Sequence, residues 1–130
     1  MAINNKTISS WIRQARHRAK KHDIYSDINV ADVQDMLTAD PTCAYCGNEA
    51  ITIDCPFPIK SKAPNVPANI VLCCKECKNV KGTNDVVWLF TTGKLSEQAY
   101  LKLINTMLAR RGGDKVKEYV KMATGIEDEK

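Results

Sequence analysis

Long apolar runs are absent from this 130-residue sequence. No stretch approaches the roughly 18 apolar residues that a membrane span needs, so no membrane partner is expected. The opening "MAINNKTISS" has no apolar core behind a basic segment, so a secretory signal is not expected, and the setting is read as reducing and cytoplasmic. In such a compartment six cysteines are metal ligands or free thiols rather than disulfides. Histidine is scarce: His17 and His22 are the only two. Both fall in or just after a basic stretch, where a histidine is ordinarily a surface residue. Internal repeats and low-complexity segments are missing as well. The length fits one domain with a modest core, to which a structural metal would contribute heavily.

Acid is absent from residues 1–22, which carry Lys6, Arg13, Arg16, Arg18, Lys20 and Lys21. All 15 acidic residues come later, so the formal net charge of +4 rests on this N-terminal arm. The asymmetry points to a polyanionic partner; the alternative is a solvated helix face that happens to be basic.

The pattern predicts mostly helices around a small β element. "TISSWIRQARHRAKKH" reads as an amphipathic helix capped by Thr7 or Ser9. Ile8, Trp11, Ala15 and Ala19 fall on one side; Arg13, Arg16 and Lys20 fall on another. "HDIYSDI" is a short extended connector. Asn29 with Asp32 resembles a capping box for a second helix that turns Val30, Val33 and Leu37 inward and stops at Asp40-Pro41. "AITIDCPF" and "NIVLCC" are β-like, and four prolines between positions 56 and 67 mark a loop. "KECKNVKG" is a short helix ended by Gly82, and "DVVWLF" is read as helix. Ser96 caps a longer helix in "SEQAYLKLINTMLARRGG", with Glu97 in its first turn, basic residues in its last turn and glycine after; "DKVKEYVKMATG" is a second, shorter helix. The expected organisation is one domain: a basic helical extension (1–40), a central core (41–90), C-terminal helices (91–124) and a frayed tail (125–130).

Cysteines carry the strongest signal. Cys43-x-x-Cys46 and Cys74-x-x-Cys77 are two pairs separated by 27 residues. Two thiolates at C-x-x-C spacing grip one ion from a single turn, and two such knuckles close the tetrahedral sulfur site favoured by structural Zn²⁺. Gly47 permits the turn behind the first pair. Cys73, next to a ligand, is read as a buried thiol behind the site.

"CAYCG", "TIDC" followed by proline, "NIVLCCKEC" and "KG", in this order over residues 43–82, resemble the HNH endonucleases. The basic run "RHRAKKHDI" is similar to the N-terminal extension of small phage-type members. The resemblance implies an α+β fold: a zinc-stapled ββα-metal core with an N-terminal basic helix and C-terminal helices. It implies that Asp54 holds one Mg²⁺ or Mn²⁺, that Asn69 braces the central loop, and that the residue after Asp54 is a histidine base. Here that residue is Cys55. The family's Asn or His after the last zinc cysteine is Lys78, with Asn79 one step of about 100° further round the helix. A thiol with a usual pKa near ~8.5 is a poor proton acceptor at neutral pH. Loss of a general base alone costs ~10²–10⁴ in rate. An ammonium beside Asp54 opposes a divalent ion but suits a phosphate.

The expected function is therefore a degenerate HNH-like protein that binds nucleic acid, with DNA the expected partner, in the cytoplasm, that of the host cell for a phage-encoded chain. Arg13, Arg16, Arg18, Lys20, Lys21, Lys78 and Lys81 are the expected phosphate contacts. The first alternative is an active metal-dependent endonuclease working through Asp54, Cys55, Asn69 and Asn79. The second is a factor that docks on a host protein through Tyr100, Leu103, Met107 and Tyr119, residues that otherwise belong in a core.

Overall fold

A computed structural model describes residues 3–124; the expected frayed tail lies outside them. The fold is α+β. Its order is α1 (Asn5–Lys21), α2 (Val30–Ala39), β1 (Thr52–Asp54), β2 (Val71–Cys73), α3 (Lys75–Lys81), α4 (Val86–Thr91), α5 (Glu97–Ala109) and α6 (Gly113–Thr124). Among the described residues no helix is long and apolar enough to cross a membrane.

Helix α1 starts earlier than Thr7 or Ser9 would allow. Asn4 is the cap, its side-chain oxygen accepting the Thr7 N–H at 2.9 Å. Asparagine is as strong a cap as serine and stronger than threonine. The buried face is Ile8, Ile12, Ala15 and Ala19, with Trp11 only half-buried. Steps of four, three and four residues follow the 3.6-residue period, which carries Ile12 inward and Trp11 to the rim. The capping box of α2 forms as expected, with Asn29 and Asp32 each accepting the other's backbone N–H. Val33 and Met36 fill its inner face, while Val30 and Leu37 stay at the edge.

Strands β1 and β2 pair antiparallel, Thr52 against Cys73, Ile53 against Leu72, and Asp54 against Val71. Side chains alternate between faces. Ile53, Ile70 and Leu72 join one apolar cluster with Ile3, Ile8, Ile12, Ile28 and Val33. Val71 and Cys73 join another with Phe57, Val86, Leu103, Met107 and Val116. The hairpin is the wall between the two.

The proline-rich connection leaves Lys60, Ser61 and Lys62 exposed and then turns inward. Residues 63–70 are all buried. Buried backbone needs partners, and two asparagines help to supply them. The Asn65 N–H donates to the Tyr25 carbonyl at 2.8 Å and the Asn65 carbonyl accepts from Asp27 N–H at 2.9 Å. The Asn69 side chain serves Pro64 and Phe57, as described below, while Ala68 N–H donates to the Arg111 carbonyl at 3.1 Å and the Ile70 carbonyl accepts from Arg110 at 2.7 Å.

At the C-terminal side, Tyr100, Leu103 and Met107 are buried, and Tyr100 stacks on Phe90 with ring centroids 4.6 Å apart. Tyr119 is half-buried and its hydroxyl donates to the Lys62 carbonyl. Of the four residues offered as a protein-docking face, Tyr100, Leu103 and Met107 therefore pack inside the fold and Tyr119 lies at its edge. Arg111, between α5 and α6, ties this side back to the N-terminal one by pairing with both Asp27 (2.5 Å) and Asp32 (2.6 Å).

Candidate metal centre and the end of strand β1

The four cysteines come from two rigid corners. Cys43 and Cys46 flank a turn closed by Gly47 N–H to the Cys43 carbonyl at 2.9 Å. Gly47 has φ of +81° there, a conformation that favours glycine. Cys74 caps α3, its sulfur accepting the Cys77 N–H at 3.4 Å, and the Cys43 sulfur accepts the Tyr45 N–H at the same distance. All four Sγ atoms lie within 4.8 Å of one another, Cys46 and Cys74 at 3.6 Å. A tetrahedron of roughly 2.3 Å metal–sulfur bonds has edges of about 3.8 Å, so the set fits one metal ion.

Cys73 is fully buried behind this group, as expected. A hydrogen bond with Cys73 is the main cause that holds the Cys43 thiol down to about 4, with N–H groups of Cys74, Cys46 and Tyr45 assisting. Burial pushes the Cys46 and Cys77 thiols up. Metal binding must expel protons from such thiols, because only thiolates ligate.

The other expected centre is built differently. Asp54 ends β1 and is buried. One of its oxygens accepts from the Tyr45 hydroxyl at 2.8 Å and faces the Lys81 ammonium at 3.2 Å. Lys81, 1% exposed, also donates to the Cys55 carbonyl at 2.9 Å. Lys78 donates to the Ile53 carbonyl at 2.7 Å. Two ammonium groups from α3 thus cover the strand end, and the carboxylate that would hold Mg²⁺ or Mn²⁺ already has a cation. These residues do not fit a divalent ion.

Lys78 and Lys81 were expected at phosphates, and both instead turn inward. They are three residues apart, so they share one helix face, and that face looks at β1. Asn79 and Val80 look outward, Val80 being 46% exposed. Asn79 is exposed on α3 rather than on the face that meets Asp54. Cys55 is partly buried beside a small cavity of about 30 Å³ that Arg18 and Asn69 also line. Burial first, then the Asp54 charge, pushes its thiol up to about 12, against Lys81, Arg18 and Lys78. At neutral pH it is a thiol, not a proton acceptor. Tyr45 had no signal beyond standing between two cysteines. Burial, with the charge of Asp54, pushes its phenol up, so it stays a donor to the carboxylate.

Asn69 occupies the bracing position. Its oxygen accepts from Phe57 N–H at 3.0 Å, and its amide donates to the carbonyls of Phe57 (2.8 Å) and Pro64 (2.9 Å). Asn69→Ala would strand three buried backbone groups, at ~1–3 kcal/mol for each left unsatisfied. A denaturant midpoint within error of the parent would show that the loop stands without this brace.

Arg13, Arg16, Arg18, Lys20 and Lys21 are all exposed on α1, as are His17 and His22 on and just past it. Arg16 is anchored by donation to the Ile28 carbonyl at 2.6 Å.

No family model, curated protein or solved structure matches this chain.

Proposed function

We propose that this chain is a zinc-stapled, HNH-like ββα-metal protein that binds nucleic acid, DNA in the first instance, without hydrolysing it. The observation that carries this reading is the Lys81 ammonium seated on Asp54. A fixed organic cation neutralises the carboxylate but offers no open coordination position to polarise a phosphate or to acidify a water. The neutral Cys55 thiol supplies no base in compensation. Zinc is the ion that best suits four thiolates in this arrangement, and its part is to hold the two knuckles together.

Support for binding comes from α1. Its exposed arginines and lysines project from a helix whose other face is locked into the core, so the cations are presented on a rigid rod. Each phosphate neutralised releases counterions and steepens the salt dependence of affinity. The resemblance to small phage-type proteins makes the cytoplasm of a host cell the place where this binding would occur.

The test pairs cutting with binding. Plasmid incubated with the zinc-loaded protein and Mg²⁺ or Mn²⁺ should stay supercoiled. Nicking by the parent that disappears in Asp54→Ala would overturn the proposal in favour of an active endonuclease. In a mobility-shift series, Arg13→Glu with Arg16→Glu should weaken binding and flatten the slope of log K against log salt by about 1.8 if both arginines touch duplex phosphates. An unchanged slope would remove α1 from the interface.

A further inference from the structure

The connector between α1 and α2 is more than a spacer. It is held flat by a parallel bridge between Ser26 and Asn65, with hydrogen bonds of 2.8 and 2.9 Å on either side. This rigid segment displays Tyr25, which is 53% exposed. Lys115 stands over the Tyr25 ring, its ammonium 4.4 Å from the centroid, and fixes the ring's place.

Two hollows adjoin along the segment, with Asp27 lining both. One, of about 380 Å³, is lined by Arg16, Lys20 and Ser26. The Ser26 oxygen accepts from the Asn65 amide, which leaves its own O–H to donate. The other, of about 190 Å³, is lined by Tyr25, Arg111 and Lys115. The acids here are Asp27 and Asp114, and Asp27 is already paired with Arg111. Arg111 is also held by Asp32, so Arg16, Lys20, Arg111 and Lys115 face three carboxylates, an excess of one positive charge. The C-terminal end of α1 also points its carbonyls toward this region, an opposing effect that Arg16, Lys20 and Lys21 offset.

An exposed aromatic ring on a stiff backbone, flanked on both sides by cationic hollows, is the arrangement that holds unpaired nucleotides: a base stacks on the ring and its phosphates meet the cations. Bases in a duplex are already stacked and cannot reach it. We propose that residues 24–28 form a single-strand site, with a base on Tyr25 and the adjacent phosphates against Arg16 and Lys20 on one side and Lys115 on the other. The proposal rests on the nucleic-acid reading above and names the strandedness of its ligand.

Fluorescence anisotropy tests it with labelled oligo-dT and oligo-U of about twelve nucleotides, within the site sizes usual for such surfaces, beside a duplex of equal length. The parent should bind the single strands more tightly than the duplex, and the deoxy and ribo arms tell which sugar it prefers. Tyr25→Ala should weaken single-strand binding by roughly tenfold, the worth of one stacked base, and leave duplex binding unchanged. Tyr25→Trp should restore it. Zinc content equal to the parent's in both variants shows that the fold is intact. If Tyr25→Ala binds single strands like the parent, or weakens both ligands equally, the single-strand site is refuted while the wider nucleic-acid reading stands. If the parent binds no oligonucleotide of any kind, both fall.

Discussion

Stripping the metal ion with a chelator should unfold the central part of this protein. Four thiolates around one ion contribute roughly 10–16 kcal/mol of apparent free energy in small zinc modules, whereas a whole domain is stable by only ~5–15 kcal/mol. The loss cannot stay local. Cys43 and Cys74 belong to the same apolar cluster as Val86, Leu103 and Met107, so opening the knuckles exposes the packing surface of α4 and α5. Cys74→Ser should act as chelation does, because it removes a ligand together with the sulfur that caps α3. Circular dichroism and zinc quantitation report both. Retention of the full helical signal after the metal has been recovered in the filtrate would contradict this account. Acid should mimic the chelator, since protonated thiols do not ligate.

Lys81→Met should cost about 3–5 kcal/mol, the usual penalty when one partner of a buried ion pair is removed and the other is left behind. For a chain of this size that corresponds to a fall in Tm of roughly 10–20 °C. Asp54→Asn should cost a similar amount, because a buried ammonium then lacks its counter-charge. Combining Asp54→Asn with Lys81→Met should be markedly less harmful than the two losses added together, since neither variant then strands a charge. Simple additivity in a denaturant series would mean that the two side chains act independently, against the 3.2 Å separation of their charged atoms.

Much of the scaffold was readable from residue patterns because it depends on local chemistry. The Asn29–Asp32 capping box, the Ser96 cap and the C-x-x-C pairs each specify their geometry within a few residues, and each forms as expected. What escaped was decided by which way a short helix faces. In α3 the charged Lys78 and Lys81 turn in and apolar Val80 turns out, the reverse of what hydrophobicity suggests. The inversion follows from the strand end beneath it, whose carbonyls at Ile53 and Cys55 and carboxylate at Asp54 need donors. The spacing of the two lysines was the available clue, and a lysine before a glycine ordinarily reads as surface. Likewise the loop marked by the prolines gave no sign that residues 63–70 are buried, because the asparagines that help to satisfy this backbone act across 12 residues, from Asn69 to Phe57, or across 40, from Asn65 to Tyr25. Tyr25 itself sat in a stretch with no periodicity to rank it.

The strands of three residues each that divide the two apolar clusters leave the chain with no spare partition. Any substitution in them is felt on both sides at once: an altered Ile53 or Leu72 disturbs the layer under α1 and α2, and the same backbone shift reaches Val71 and Cys73, against which the thiolates rest. Tolerance to mutation should thus be distributed by position rather than by residue type, with the narrowest stretch of the molecule also its least forgiving, and with evolutionary drift channelled outward into the helices on either flank.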